Sequence, residues 1–196
     1  MTKEDSARVL IVFATWHGQT ERIAHKLAAS ARRRGYATEV QSSEDAWSRQ
    51  DLACFDRVVV CAGVHMQEHH REAETFVTTH LATLESRPSA FVSVSLAAGA
   101  PAGTSDRVGI ERVVNAFLDQ TSWSPEKVIL AAGALHYTQY GFLTRWFMRR
   151  ISAKHGGPTD TSRDHEMTDW ALLERDAASF FPEVTRSEPT SLAAGT

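Results

Sequence analysis

Apolar residues along this chain fall into two alternating patterns. Short unbroken runs, such as Val9-Leu10-Ile11-Val12-Phe13 and Val58-Val59-Val60, read as strands covered on both faces. Between them, apolar positions recur every three or four residues, the period of a helix with one buried face. The first strand is expected at Arg8 to Ala14. A helix from about Gln19 to Arg34 follows, with Ile23, Leu27 and Ala31 inward and Gly35 closing it in the left-handed conformation. Strands are expected near Thr38 to Gln41 and at Arg57 to Ala62, and then a helix near His70 to Leu84 that buries Phe76, Val77, His80, Leu81 and Leu84. The fourth strand, Ala90 to Leu96, precedes a helix between Asp106 and Gln120 with Ile110, Val113, Val114, Phe117 and Leu118 inward. The fifth strand is Lys127 to Ala132, and a last helix at about Met167 to Phe181 closes the domain. Strands alternating with helices in this way predict an α/β fold with a doubly wound parallel sheet, whose ligand sits outside the carboxyl ends of the strands.

That rule directs attention to four loops: Thr15 to Thr20, Ala62 to His70, Leu96 to Gly103 and Ala132 to Tyr140. The first changes abruptly from the apolar run to Ala14-Thr15-Trp16-His17-Gly18-Gln19-Thr20 and leads straight into a helix. Backbone N–H groups at the start of a helix attract anions, hydroxyls of Thr15 and Thr20 add donors, and Gly18 permits close approach of the backbone. The threonines also suit ordinary helix capping. Neither a Gly-x-Gly-x-x-Gly fingerprint nor a loop ending in Lys-Ser/Thr is present, so a single terminal phosphate fits better than a dinucleotide or a nucleoside triphosphate. The other loops are poor in charge and rich in small residues, including Gly63 and Gly99-Ala100-Pro101-Ala102-Gly103, and such loops can approach a flat ring closely. Turning the chain is the other use of Gly and Pro here.

Thr15-Trp16-His17-Gly18-Gln19-Thr20 resembles the FMN phosphate loop of the flavodoxin family. Further along, Pro88-Ser89-Ala90-Phe91, Gly133-Ala134-Leu135, Gly156-Gly157, Thr159-Asp160-Thr161 and Thr168-Asp169-Trp170 are similar to the menaquinone-dependent protoporphyrinogen oxidases, flavodoxin-like enzymes of haem synthesis. The resemblance spans Arg8 to Phe181. It implies a flavodoxin-like five-stranded sheet in the order 2-1-3-4-5, with a long helical insert after strand five. It implies FMN as cofactor, a tetrapyrrole substrate such as protoporphyrinogen, and a quinone as electron acceptor. The cofactor would lie against Thr15, Trp16, His17, Gly18, Gln19 and Thr20, against Gly63, Val64, His65 and Met66, and against Ser95, Leu96, Ala97, Ala98 and Gly99. Where the family carries basic and aromatic residues after strands three and four, this chain has Val64-His65-Met66-Gln67 and Ala97-Ala98-Gly99-Ala100. Two other functions remain open: a soluble electron-transfer flavodoxin, and a flavin-free interaction module.

His65, His69 and His136 fall on the loops that would rim the flavin, where an imidazole can carry a proton. His17 has the same claim. The spacing of His65 and His69 also suits a metal, but apart from Glu68 and Glu72, which read as ordinary surface residues, no cysteine or carboxylate at ligand spacing completes a site, so none is expected. The segment Tyr140 to Lys154 joins Phe142, Leu143, Trp146, Phe147, Met148 and Ile151 to Arg145, Arg149, Arg150 and Lys154. As a helix it would lay most of those apolar residues along one side, so the insert from Gly141 to His155 is a candidate for peripheral membrane contact where a lipid quinone is met. Packing on its own domain or on a second subunit of a homo-oligomer is the other use of that surface.

Length and charge add bounds. A chain of 196 residues accommodates one sizeable α/β core, expected over residues 8–182, and residues 183–196 form a Ser/Thr/Ala/Pro tail expected to be disordered. The formal net charge of -3 gives no polybasic footprint for nucleic acid. It also falls short of the strong acidity that steers many electron shuttles to their partners. Met1-Thr2-Lys3-Glu4-Asp5-Ser6 contains no apolar segment, and no secretory signal is expected. Cys54 and Cys61 do not make a redox pair, and Cys61 reads as a small core residue. The expected location is the cytoplasm, with peripheral contact at the inner face of the membrane.

Overall fold

The computed structural model describes residues 7–135, 138, 146, 150 and 159–184. Strand β1 (Arg8–Ala14) leads into α1 (Gln19–Arg33), β2 (Ala37–Ser42) and the short α2 (Ser43–Ala46). Then come β3 (Arg57–His65), β4 (Glu68–His69), α3 (Arg71–Thr79), α4 (Leu81–Glu85), β5 (Ser89–Ser95) and α5 (Ser105–Thr121). Strand β6 (Lys127–Ala132), the two-residue strands β7 (Ala134–Leu135) and β8 (His165–Glu166), and α6 (Trp170–Phe180) complete the described elements. The main path of the sheet is β2-β1-β3-β5-β6, all parallel. This is the expected order 2-1-3-4-5, because β4 only folds back on the end of β3.

Successive side chains of a strand point to opposite faces, so an unbroken apolar run feeds two cores at once. Val9 and Ile11 of β1 join Val59 and Cys61 of β3 in a layer beneath α1 and α6, with Ile23, Leu27, Leu173 and Phe180. Leu10 and Val12 join Val58 and Val60 in the opposite layer, against Phe76 of α3 and Phe117 and Trp123 at and after α5. Burial pushes the Cys61 thiol well above its ordinary pKa, which keeps it neutral and unreactive.

The departures from the sequence expectation lie at the ends of elements. Strand β3 does not stop at Ala62. It continues to His65, turns at Met66 and Gln67, and returns as β4 with His65 opposite Glu68. Both turn residues have positive φ, 50° and 65°, the backbone of a tight two-residue hairpin that normally calls for Asn or Gly. The helix expected through Leu84 breaks at His80, whose Nε2 lies 2.8 Å from the Trp47 carbonyl oxygen, so that His80 is a junction between α3 and α4 rather than a core position. The last helix begins at Trp170, not Met167, because Asp169 caps it: its carboxylate accepts from the Leu172 N–H at 2.9 Å. The chain also stays attached past the expected end of the domain, since the Val184 N–H donates to the Arg34 carbonyl at 3.0 Å. Residues 185–196, His136 and, apart from Trp146 and Arg150, the segment 141–155 lie outside the described residues.

Candidate functional site

The carboxyl ends of β1, β3, β5 and β6 meet at one open cleft of about 160 Å3. Thr15, Trp16, His17, Gln19 and Thr20 form its first wall, and Gly63, Val64 and His65 its second. Val94, Ser95 and Leu96 form the third, with Gly133 and Ala134 closing the fourth. Crossover connections put these segments together although they are far apart in sequence, which is why ligands collect at this edge of doubly wound sheets.

The first wall ends in an open helix start. Gly18 occupies the N-cap position of α1 at φ 82°, and no side chain caps the helix. By contrast, α5 and α6 are capped by Thr104 and Asp169. The first N–H groups of α1 are therefore directed to whatever lies beyond its end, with the positive pole of the helix behind them. Thr15 shapes the loop from within: its Oγ1 accepts the Gly18 N–H at 2.9 Å. Thr20 is 3% exposed and faces the second wall. There Gly63 brings the backbone close, since a Cβ at that position would stand a tight 3.1 Å from Thr20 Oγ1 and 3.4 Å from Trp16 Cε3.

An aromatic cluster marks the mouth. Trp16, 43% exposed, has its ring centroid 4.2 Å from that of His70 and 5.4 Å from that of His65. The hairpin carries His65 to the rim and turns His69 the other way. His69 lies in the core, with Nε2 2.9 Å from Ser93 Oγ and its ring against the stacked pair Phe91 and Phe117. Loss of solvation pushes its pKa down to about 4, so it is a neutral core residue and not part of the cleft's rim. Among the described residues, no group of three His, Cys, Asp or Glu side chains is placed to hold a metal ion.

Several expected contact residues stand apart from the lining. Met66, at the tip of the hairpin, is 85% exposed. Leu96, Ala97, Ala98 and Gly99 form a 3-10 turn in which Ser95 Oγ accepts the Ala98 N–H at 3.1 Å, and of these only Leu96 lines the cleft. Ala98 instead faces α5, where Arg107 donates to its carbonyl oxygen at 3.0 Å, and a Cβ on Gly99 would meet Ala132. Gly18 serves through its backbone.

Val94 in the third wall and the β7–β8 ribbon are not expected from the sequence, while Gly133 and Ala134 fall in the loop Ala132 to Tyr140 expected at this edge without being among the named contacts. Gly133 and Ala134 carried a signal, in the family-like Gly133-Ala134-Leu135 stretch. Two-residue strands leave no periodicity to read.

Comparison with known proteins places this architecture. A family model described as "Flavodoxin domain" matches residues 10–162. The chain is 33% identical over 167 residues to a protein of Escherichia coli K12 named protoporphyrinogen IX dehydrogenase (quinone), covering 83% of this chain and 88% of that protein. A Leishmania major protein of the same name is 31% identical over 180 residues, covering 89% of this chain and 75% of its own length. Among solved structures, oxidised Flavodoxin 1 from Bacillus cereus superposes with a TM-score of 0.54 at 13% identity, covering 91% of this chain and 100% of that one. With its parallel sheet, its open helix end and a domain match over most of its length, the chain belongs to the flavodoxin-domain family.

Proposed function

We propose that this protein is an FMN-dependent oxidoreductase that takes electrons from protoporphyrinogen, or a closely similar tetrapyrrole, and passes them to a quinone. The observation that carries the reading is the uncapped start of α1 opening on a four-walled cleft whose second wall comes close to it at Gly63. The relatives' names supply the substrate and the acceptor. FMN, when bound, supplies the redox chemistry.

The chain's own residues bind, orient and shield. The N–H groups at the start of α1 and the Thr15 and Thr20 hydroxyls hold the phosphate. Gly63 lets the backbone of the second wall lie against Trp16 and Thr20, so that a flat ring system fits between the second and third walls. Among the described residues His65 is the proton-handling group at the rim, with His17 on the facing wall.

A second reading, a soluble electron-transfer flavodoxin, is favoured by one observation: the described lining carries no Lys or Arg to meet substrate carboxylates. One experiment separates the two. Purified protein supplied with FMN should show a bound-flavin absorbance spectrum, and anaerobic addition of protoporphyrinogen with a menaquinone analogue should raise porphyrin fluorescence above the enzyme-free rate. A bound flavin without that rise supports the electron carrier. No flavin uptake removes both readings.

A further inference from the structure

Gln19 opens α1 within the phosphate loop and lines the cleft, yet its side-chain amide has no hydrogen left to offer a ligand. Nε2 carries two hydrogens. One goes to Glu166 Oε1 at 2.6 Å and the other to Thr168 Oγ1 at 2.7 Å. On the other side, Arg22 Nη1 donates to Gln19 Oε1 at 3.2 Å and pairs with Glu166 Oε2 at 2.8 Å. A carboxylate facing the amide nitrogen and a guanidinium facing its oxygen leave one sensible orientation for the side chain.

The arrangement continues inward. Thr168 is 8% exposed and donates its hydroxyl to the Ala132 carbonyl oxygen at 2.7 Å, at the carboxyl end of β6. One residue on, the Gly133 N–H donates to the Ser95 carbonyl oxygen at 3.0 Å, and Gly133 in turn accepts the Met167 N–H at 3.2 Å. The first, third and fourth walls of the cleft are thus joined by a chain of short hydrogen bonds. Its buried centre is Gln19–Thr168–Ala132. The outer Arg22–Glu166 pair is largely in solvent and contributes little by itself.

We propose that Gln19 and Thr168 are positioning residues, a buried clamp that holds the phosphate loop against the end of β6 in the geometry its ligand requires. The ligand's identity as FMN rests on the flavin reading above. Thr168 is absent from the described lining of the cleft, so any effect of its hydroxyl on cofactor affinity must travel through Gln19.

The test uses Thr168→Val, which keeps the shape and removes the hydroxyl, and Thr168→Ser, which restores it. Two readouts apply. Amide hydrogen exchange at residues 15–20 of the flavin-free protein should quicken by about fivefold or more in Thr168→Val and return toward wild type in Thr168→Ser. FMN affinity should fall by about tenfold in Thr168→Val, and adding Gln19→Ala should cost little more, because both changes remove the same link. Thr168→Ala replaces the valine variant if that protein does not fold. Unchanged exchange at residues 15–20 in a folded Thr168→Val overturns the clamp. Additive losses from the two substitutions also overturn it, since Gln19 would then be a direct ligand. A wild-type protein that takes up no FMN defeats the flavin reading, and the exchange measurement still decides whether the clamp holds the loop.

Discussion

Acid should destabilise this fold through a single buried imidazole. His69 packs against the stacked pair Phe91 and Phe117 with Nε2 on Ser93 Oγ, and its buried Nδ1 has no hydrogen-bond partner among the described residues. Protonation would place a charge in that poorly solvated pocket, which is why its pKa is pushed down from 6.5 to about 4. The folded state therefore binds this proton less readily than the unfolded chain. Its stabilising effect is complete above the unfolded value, wanes as pH falls below it, and is spent once the folded value is passed. Between about pH 7 and about pH 5 the difference amounts to about 2 kcal/mol, a substantial part of the stability of an ordinary domain. The assay is urea unfolding at both pH values for wild type and for His69→Gln, whose amide can still bond Ser93 but does not titrate. All other groups titrate alike in the two proteins, so the difference between their pH dependences isolates His69. Wild type should lose about 2 kcal/mol more than the variant. Equal losses would refute the reasoning, and would mean that the hairpin opens to let His69 reach water before the domain unfolds.

Three further outcomes follow from the site. Gly63→Ala should leave the fold intact but displace the Thr20 hydroxyl, now 3.1 Å from the new Cβ position, and weaken FMN binding. A loss of about fivefold, equivalent to about 1 kcal/mol, is expected by fluorescence titration. Thr20→Ala should weaken FMN by about 1 to 3 kcal/mol, the range of a charge-assisted hydrogen bond, and equal affinity in both proteins would remove Thr20 from the phosphate site. Replacing the segment from Gly141 to His155 by a Gly/Ser linker that spans the gap should preserve flavin binding while lowering association with anionic vesicles and turnover with a lipid quinone. Unchanged vesicle binding and turnover would point instead to a subunit contact. Among the described residues no helix is long and apolar enough to cross a membrane.

Much of the architecture is legible because burial on two faces leaves so plain a trace. Runs such as Val9 to Phe13 and Val58 to Val60 cannot sit at a surface, and helices whose apolar positions recur at 3.6-residue spacing must cover them. Strand order, the position of the first loop at the ligand edge and the core placement of Cys61 follow from those patterns and from the family resemblance. What local pattern does not encode is where elements stop. Met66 and Gln67 adopt left-handed backbone without being Gly or Asn, so the hairpin that extends β3 has no sequence marker; packing of β4 and His69 against the core imposes it.

The same division holds within the site. Thr15, Gly18 and Thr20, the proposed phosphate contacts, are recognisable in one stretch because such a cradle is a local object, a loop and the helix it starts. The fates of His65 and His69 are not. Four residues apart on the same hairpin, one is carried to the rim and the other into the core, and only the three-dimensional position of Ser93 and Phe117 separates a proton-handling candidate from a neutral packing residue. Gln19 shows the limit most sharply: its sequence neighbours mark it as a ligand, while partners 147 and 149 residues away claim both hydrogens of its amide. A side chain's chemistry is written in the sequence, but which of its hydrogen bonds remain to be made is settled by residues that only folding brings within reach.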